Sequence, residues 1–271
     1  MTSTNLSVQS LSVALILALP SIALAHPTGH DGEPVAGLHV DDSYANCFFD
    51  LHPELTQSEF DEFAKEAGAI TRFHQISSAE TLGRGNFNVS LAMAETPVDD
   101  AKGAWNNTMS HPEEDHYLGH EVAFPRIIVR VGVAERVDVG AWATVDPNAS
   151  YGFVGLDSKI SILRQDENNP VSIAIRPNAS ALLGPKEVWV GNAGVDVSVS
   201  RNYKGLSPYL GFSAMTSVAV ERSDEVDLDP GTSNDLVAFT GLSYNWKKLS
   251  MAAEAEVGPM TTYALRIGGN F

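Results

Sequence analysis

The stretch "YALRIGGNF", residues 263–271, decides the fold. Tyr263, Leu265, Ile267 and Phe271 fall on one parity; Ala264, Arg266, Gly268 and Asn270 fall on the other. That is a period-two strand with one apolar face, and it closes on an aromatic residue. The question is what kind of sheet such a strand joins.

Moving back along the chain, the same alternation recurs. "LSMAAEAEV" sets Leu249, Met251, Ala253, Ala255 and Val257 against Ser250, Glu254 and Glu256. Val195, Val197 and Val199 oppose Asp196 and Ser198; Val171, Ile173 and Ile175 oppose Ser172 and Arg176. Val154, Leu156, Ile160 and Ile162 oppose Asp157, Lys159 and Ser161. "RVDVGAWAT" opposes Val137 and Val139 to Arg136 and Asp138, and "RIIVRVGV" opposes Ile127, Val129, Val131 and Val133 to Arg126 and Arg130. "NFNVSLAM" opens the series at Phe87, and less regular strands are expected near 207–220 and 236–246. The period predicts about ten strands, within a range of eight to twelve. A further one at 69–76, "AITRFHQI", would raise the count.

A soluble sandwich or barrel would also alternate. Two features favour a transmembrane barrel. One face is almost purely aliphatic while the other carries charge in strand after strand, as expected for apolar-out, polar-in packing around a lumen. The connections also alternate: the longest (97–121 and 221–235) are odd-numbered and the tightest (134–135 and 247–248) even-numbered. The fold expected is all-β, an antiparallel up-and-down transmembrane β-barrel over 84–271 with a short N-terminal helix.

The final strand resembles the C-terminal signature of bacterial outer-membrane β-barrel proteins, carried by Tyr263, Leu265, Ile267 and Phe271, with Gly269 interrupting the apolar set. The resemblance implies that the barrel assembly machinery reads this strand. The order "RVGVAERVDVGAW…YGFVGLDSKISIL" is similar to uncharacterised outer-membrane proteins described as porin-like or transporter-like.

The N-terminus agrees with export. "LSVALILALPSIALA" (11–25) is an apolar run ending in Ala23-Leu24-Ala25, a small-x-small pattern expected for a signal peptide over 1–25, cleaved near Ala25. Residues 1–10 depart from the usual pattern, having no Lys or Arg. The single cysteine, Cys47, excludes an intrachain disulfide and lies too far from the cleavage point for a lipoprotein. A net charge of −17 argues against nucleic-acid partners. The destination is the outer membrane of a Gram-negative bacterium, with lipid and lipopolysaccharide as surroundings; nothing in the sequence sets the oligomeric state.

Between signal and barrel lies a polar, His-containing segment, 26–83, expected on the periplasmic side. It contains one helix at about 56–67. Thr56 and Glu59 have capping-box spacing, Phe60, Phe63, Ala64 and Ala67 share a face, and Gly68 reads as a stop.

All eight His lie at or before His120, so the later barrel wall has none to serve as acid or base, and no enzyme is expected. Two His-rich stretches could hold Zn²⁺ or Cu²⁺: His111, His116 and His120 in the first loop, and His26, His30 and His39 in the leader. No other cofactor is expected. Asp227, Asp229, Ser233 and Asp235 loosely resemble a Ca²⁺ loop, although Gly231 and Thr232 break the pattern.

The remaining candidates line the lumen: Arg126, Arg130, Arg136, Asp138, Asp157, Lys159, Arg176, Asp196, Glu254, Glu256 and Arg266. Ten strands enclose only a narrow interior. Facing charges could pair across it, or leave a solute path, and the N-terminal helix could enter it. The reading is porin-like passive transport of small solutes through a narrow lumen. Its alternative is a non-conducting structural or binding barrel that captures a divalent metal through the His-rich segments.

Overall fold

The computed structural model describes residues 48–49, 51–99, 102–110, 121–144 and 152–271. Ten antiparallel strands form a closed barrel: β2 (Phe87–Pro97), β4 (Glu121–Ala134), β5 (Val137–Thr144), β6 (Gly152–Leu163), β7 (Ser172–Leu183), β8 (Val188–Ser200), β9 (Leu206–Glu221), β10 (Gly231–Trp246), β11 (Leu249–Val257) and β12 (Thr261–Asn270). Each strand pairs with its sequence neighbours, and β12 closes the ring on β2, with Ile267 opposite Leu91 and Asn270 opposite Asn88. A small pair, β1 (Phe48–Phe49) with β3 (Met109–Ser110), lies outside the ring, β3 within the connection from β2 to β4. A short helix α2 (Gly103–Asn106) shares that connection.

Burial follows the period. Leu156, Leu210, Phe212, Leu236 and Leu265 are exposed on the outer wall, Leu236 at 74%. The residues between them are buried inside. A soluble monomer does not carry an apolar belt around a whole sheet, whereas a barrel in lipid requires one. Tyr203, Trp246, Phe87 and Phe271 gather at the end with the tight turns, as an aromatic girdle at a membrane interface. That end carries the turns at 135–136, 164–171, 201–205 and 247–248; the other carries the long connections. Short turns mark the periplasmic end and long loops the outer end.

Phe271 sits at the seam. Phe87 and Phe271 exchange both main-chain hydrogen bonds at 2.9 Å, and their rings stack at 5.0 Å. Gly269 has a physical reason here: a Cβ on it would stand 2.8 Å from the Phe271 ring, which lies over the gap.

The helix α1 spans Gln57–Thr71. The capping box is formed, with the Thr56 amide donating to Glu59 Oε2 at 2.9 Å and the Glu59 amide donating to Thr56 Oγ1. Gly68 does not stop the helix. It lies on the buried face, where an added Cβ would meet the Ser217 side chain, and the helix runs on to an extended C-cap at Arg72. The stretch 69–76 is therefore the end of a helix and an extended segment, not a strand. The described part of the N-terminal segment does not lie outside the barrel on the periplasmic side: it fills the lumen and reaches that end only near Gly83. Ala64 approaches Gly231 and Gly68 approaches Ser217, both at the outer end, so α1 sits inside the outer mouth of the barrel. From Arg72 the chain descends through the lumen to Gly83, beside the turn at 135–136. There Gly83 passes so close to Gly132 that a Cβ on Gly132 would overlap the Gly83 carbonyl.

Candidate functional site: the occupied lumen

The interior has two zones. Around α1 it is apolar. Phe60, Phe63, Ala64, Ala67 and Ile70 pack in one cluster with Leu51, Leu55, Trp105, Val188 and Val190. Phe63 stacks on Phe60 at 6.1 Å and meets Trp105 edge-on at 5.3 Å. Trp105 donates its indole N–H to Glu66 at 2.6 Å, and Lys102 reaches Glu62 and Glu66 at 2.8 and 3.0 Å. These two carboxylates raise the Lys102 pKa above its ordinary value, so it stays charged and ties the first long loop to the helix.

Towards the periplasmic end the interior is charged. Arg130 and Asp157 form a two-pronged pair at 2.6 and 2.8 Å, with Arg176 Nε 3.6 Å from the same carboxylate. Phe73 of the descending chain lies beneath two guanidinium groups, 5.1 Å from Arg176 and 6.0 Å from Arg130. Arg126 stacks over Trp142 at 4.5 Å. Asp196 is buried on β8 and accepts from Asn178 at 3.3 Å. Asp138, Lys159, Glu254, Glu256 and Arg266 all face the same interior. Arg136 does not. It occupies the exposed two-residue turn between β4 and β5, where the alternation is broken and no inward face exists.

His74 enters the lumen by a route that the strand pattern does not reveal. Its ring is wholly buried, with Nδ1 2.9 Å from Glu256, which also lies 3.5 Å from Arg72. The wall has no His of its own, but the descending chain supplies one. Residues 72–82 have no apolar period, because their partners are side chains of the wall and not a neighbouring sheet face.

The other candidates divide by place. Tyr263, Leu265 and Ile267 point outward from β12, and Phe271 follows at the seam. His26, His30, His39, His111, His116 and His120 lie outside the described residues. Among the described residues no group of three or more His, Cys, Asp or Glu is placed to hold a metal ion. The Ca²⁺-like series does not form one loop: Ser233 and Asp235 belong to β10, where the serine hydroxyl donates to the aspartate.

Beside the descending chain a cavity of about 500 Å³ opens towards the periplasmic end. Arg130, Lys159, Lys248 and Arg266 line it with Glu80 and Asn88. Lys159 and Arg266 meet neutral oxygens there, from Ser78, Glu80, Ile76, Ser90 and Ser250.

No protein-family model matches the chain, and no curated protein matches it in sequence. Several solved structures resemble it loosely. The attachment invasion locus protein Ail of Yersinia pestis is 15% identical, at a TM-score of 0.30, over 69% of this chain and 99% of Ail. An outer membrane channel from Pseudomonas putida F1 is 8% identical, at 0.45, over 73% of this chain and 100% of the channel. The outer membrane protein OprG from Pseudomonas aeruginosa is 10% identical, at 0.31, over 72% and 99%. At these scores the chain's own geometry has to carry the assignment. A closed, even-stranded wall that is apolar where it faces out and charged where it faces in is built to stand in lipid, and the chain folds as a ten-stranded antiparallel β-barrel of the transmembrane kind.

Proposed function

We propose that this barrel passes small hydrophilic solutes passively through its lumen, and that residues 57–82 are its closure. The observation that carries the reading is how the lumen is filled. Wall side chains pair locally, as Arg130 and Arg176 do with Asp157, but the space they enclose is filled by another part of the chain. A segment of the N-terminal chain occupies it, held by packing and hydrogen bonds and continuous with the wall where it runs into β2. The lining is polar and of both signs, and an aqueous cavity already opens at the periplasmic end. With the segment in place the path is closed; with it withdrawn, a narrow channel selecting by size and charge is left. In the same reading, Tyr263, Leu265, Ile267 and Phe271 form the strand that the barrel assembly machinery recognises, since they lie outward on a seam strand where a partner can reach them.

Planar-bilayer conductance tests the closure. The refolded chain from residue 26 is compared with one lacking 26–83, each shown to be a folded barrel by heat-modifiable gel mobility. The expected result is silence or rare brief steps from the first and steady steps from the second. A truncated barrel that is folded and silent overturns the transport reading.

A further inference from the structure

The charged groups of the inner half of the lumen are spent mostly on main chain. Arg126 donates to the carbonyls of Ile70 and Arg72, both at 2.9 Å. Arg176 donates to the carbonyl of Gln75 at 3.3 Å, and Arg266 Nε to that of Ile76 at 2.7 Å. Lys159 donates to the carbonyls of Ser78 and Glu80 at 2.9 and 2.8 Å. In the other direction, the amide of Ile76 donates to both oxygens of Glu254 at 3.0 Å. The amide of Ala79 donates to Ser200 Oγ at 3.1 Å, and that of Leu82 to both oxygens of Asp138 at 3.1 Å.

A buried backbone group needs a partner, and an extended segment ordinarily finds it in a neighbouring strand. Among the described residues no strand lies alongside. Side chains from β4, β5, β6, β7, β8, β11 and β12 act in its place, from all around the wall. They hold Ile76 hard enough to keep it at φ +38°, a left-handed value that a β-branched residue rarely adopts. Its amide is fixed by Glu254 and its carbonyl by Arg266. Some contacts do read side chains: Asn192 to Thr71, Glu256 to Arg72 and His74, Arg176 to Ser77, and Asn202 to Glu80. Phe73 is read as well, beneath Arg176 and Arg130; but the carbonyls of Arg72, Gln75, Ile76, Ser78 and Glu80 and the amides of Ile76, Ala79 and Leu82 are groups that a polypeptide following this path presents whatever its side chains.

We propose that the inner half of the lumen is a binding site for one polypeptide main chain, held chiefly through its amides and carbonyls and largely indifferent to its small polar side chains, with residues 72–82 as the resident occupant. The ligand class is an extended polar peptide segment. The proposal stands whether or not the lumen conducts, and its test reads occupancy, not current.

The reporter is Ser78→Cys on a Cys47→Ala chain starting at residue 26, folded in detergent. The rate of labelling by a bulky maleimide measures how often the segment leaves. Three chains are compared, each checked for heat-modifiable mobility: the reporter alone, the reporter with Thr71, Gln75, Ser77 and Thr81 all changed to Ala, and the reporter with Lys159→Met and Glu254→Ala. The segment variant is expected to label as slowly as the reporter. The wall variant is expected to label about tenfold faster or more, since hydrogen bonds to charged groups are lost. Lys159→Arg with Glu254 intact should restore slow labelling. If the double wall variant fails to fold, Ser200→Ala replaces it, with a rise of about threefold expected from one neutral bond. Faster labelling in the segment variant, or none in the folded wall variants, overturns the proposal.

Discussion

The outer and inner halves of the lumen hold the same continuous segment in different ways. At the outer mouth α1 is retained by apolar burial, which has no direction and tolerates sliding. Below Arg72 the chain is retained by hydrogen bonds to fixed charges, which demand register but little area. The helix zone supplies the energy of a core. The extended zone supplies geometry, and loses most of its hold once a few bonds go. One segment can thus be anchored at one end and conditional at the other.

Four measurements break or sharpen that contrast. The largest effect belongs to Phe63, which is fully buried. Phe63→Ala should cost about 3–5 kcal/mol of helix retention. In hydrogen exchange it should expose α1 amides while those of Ile76, Ala79 and Leu82 keep more of their protection. If both halves open together, they are one unit and the contrast is wrong. Lys159→Met comes next, at about 1.5–3 kcal/mol for its charged hydrogen bonds, and should do the reverse: the extended zone exchanges faster and α1 does not. Phe271→Ala tests the wall alone. It removes a ring stack worth about 0.5–1.5 kcal/mol, and should lower the temperature at which the heat-modifiable band is lost while leaving the Ser78→Cys labelling rate unchanged.

The smallest effect is the pH response of the α1 start. Hydrogen bonds from the Thr56 amide and hydroxyl hold the Glu59 carboxyl below its usual range. A depressed carboxylate contributes stability that is present above its unfolded pKa of about 4.3 and lost as pH falls through the folded value. Acidification from pH 6 to pH 3 should therefore fray the first turn of α1. Thr56→Ala, at a cost of about 1 kcal/mol, keeps the amide donor and removes the hydroxyl, so it should weaken that pH dependence without abolishing it.

The barrel was legible because each strand repeats one rule, apolar out and polar in. The rule fails at the edges. β8 begins at Val188 and β10 at Gly231, earlier than alternation suggests, because "WVGNAG" and "TSND" mix small and polar residues near the outer rim. Arg136 shares the parity of Asp138, and parity alone cannot show that the strand has already turned. The occupied lumen was the least legible part. An extended segment satisfied by side chains from seven strands leaves no period of its own, and Gly68 suggested an end where the helix needed a small residue for close approach. What the sequence did display was the other half of the arrangement: inward charges of both signs on strand after strand, open to pairing with one another or to lining a path.

The seam has a consequence for the order of events in folding. Asn88 and Asn270 bond side chain to side chain across 182 positions of chain. The segment that fills the lumen runs directly into β2, the strand on which β12 must close. Until β12 arrives, the sheet is an open trough and the segment can be laid into it from the side. Once Phe87 and Phe271 have exchanged their bonds, the same segment could enter only end-on. Non-local pairing of this kind forms slowly. The time before closure is thus the easy window for filling, and a chain that closes early is the one expected to be left empty.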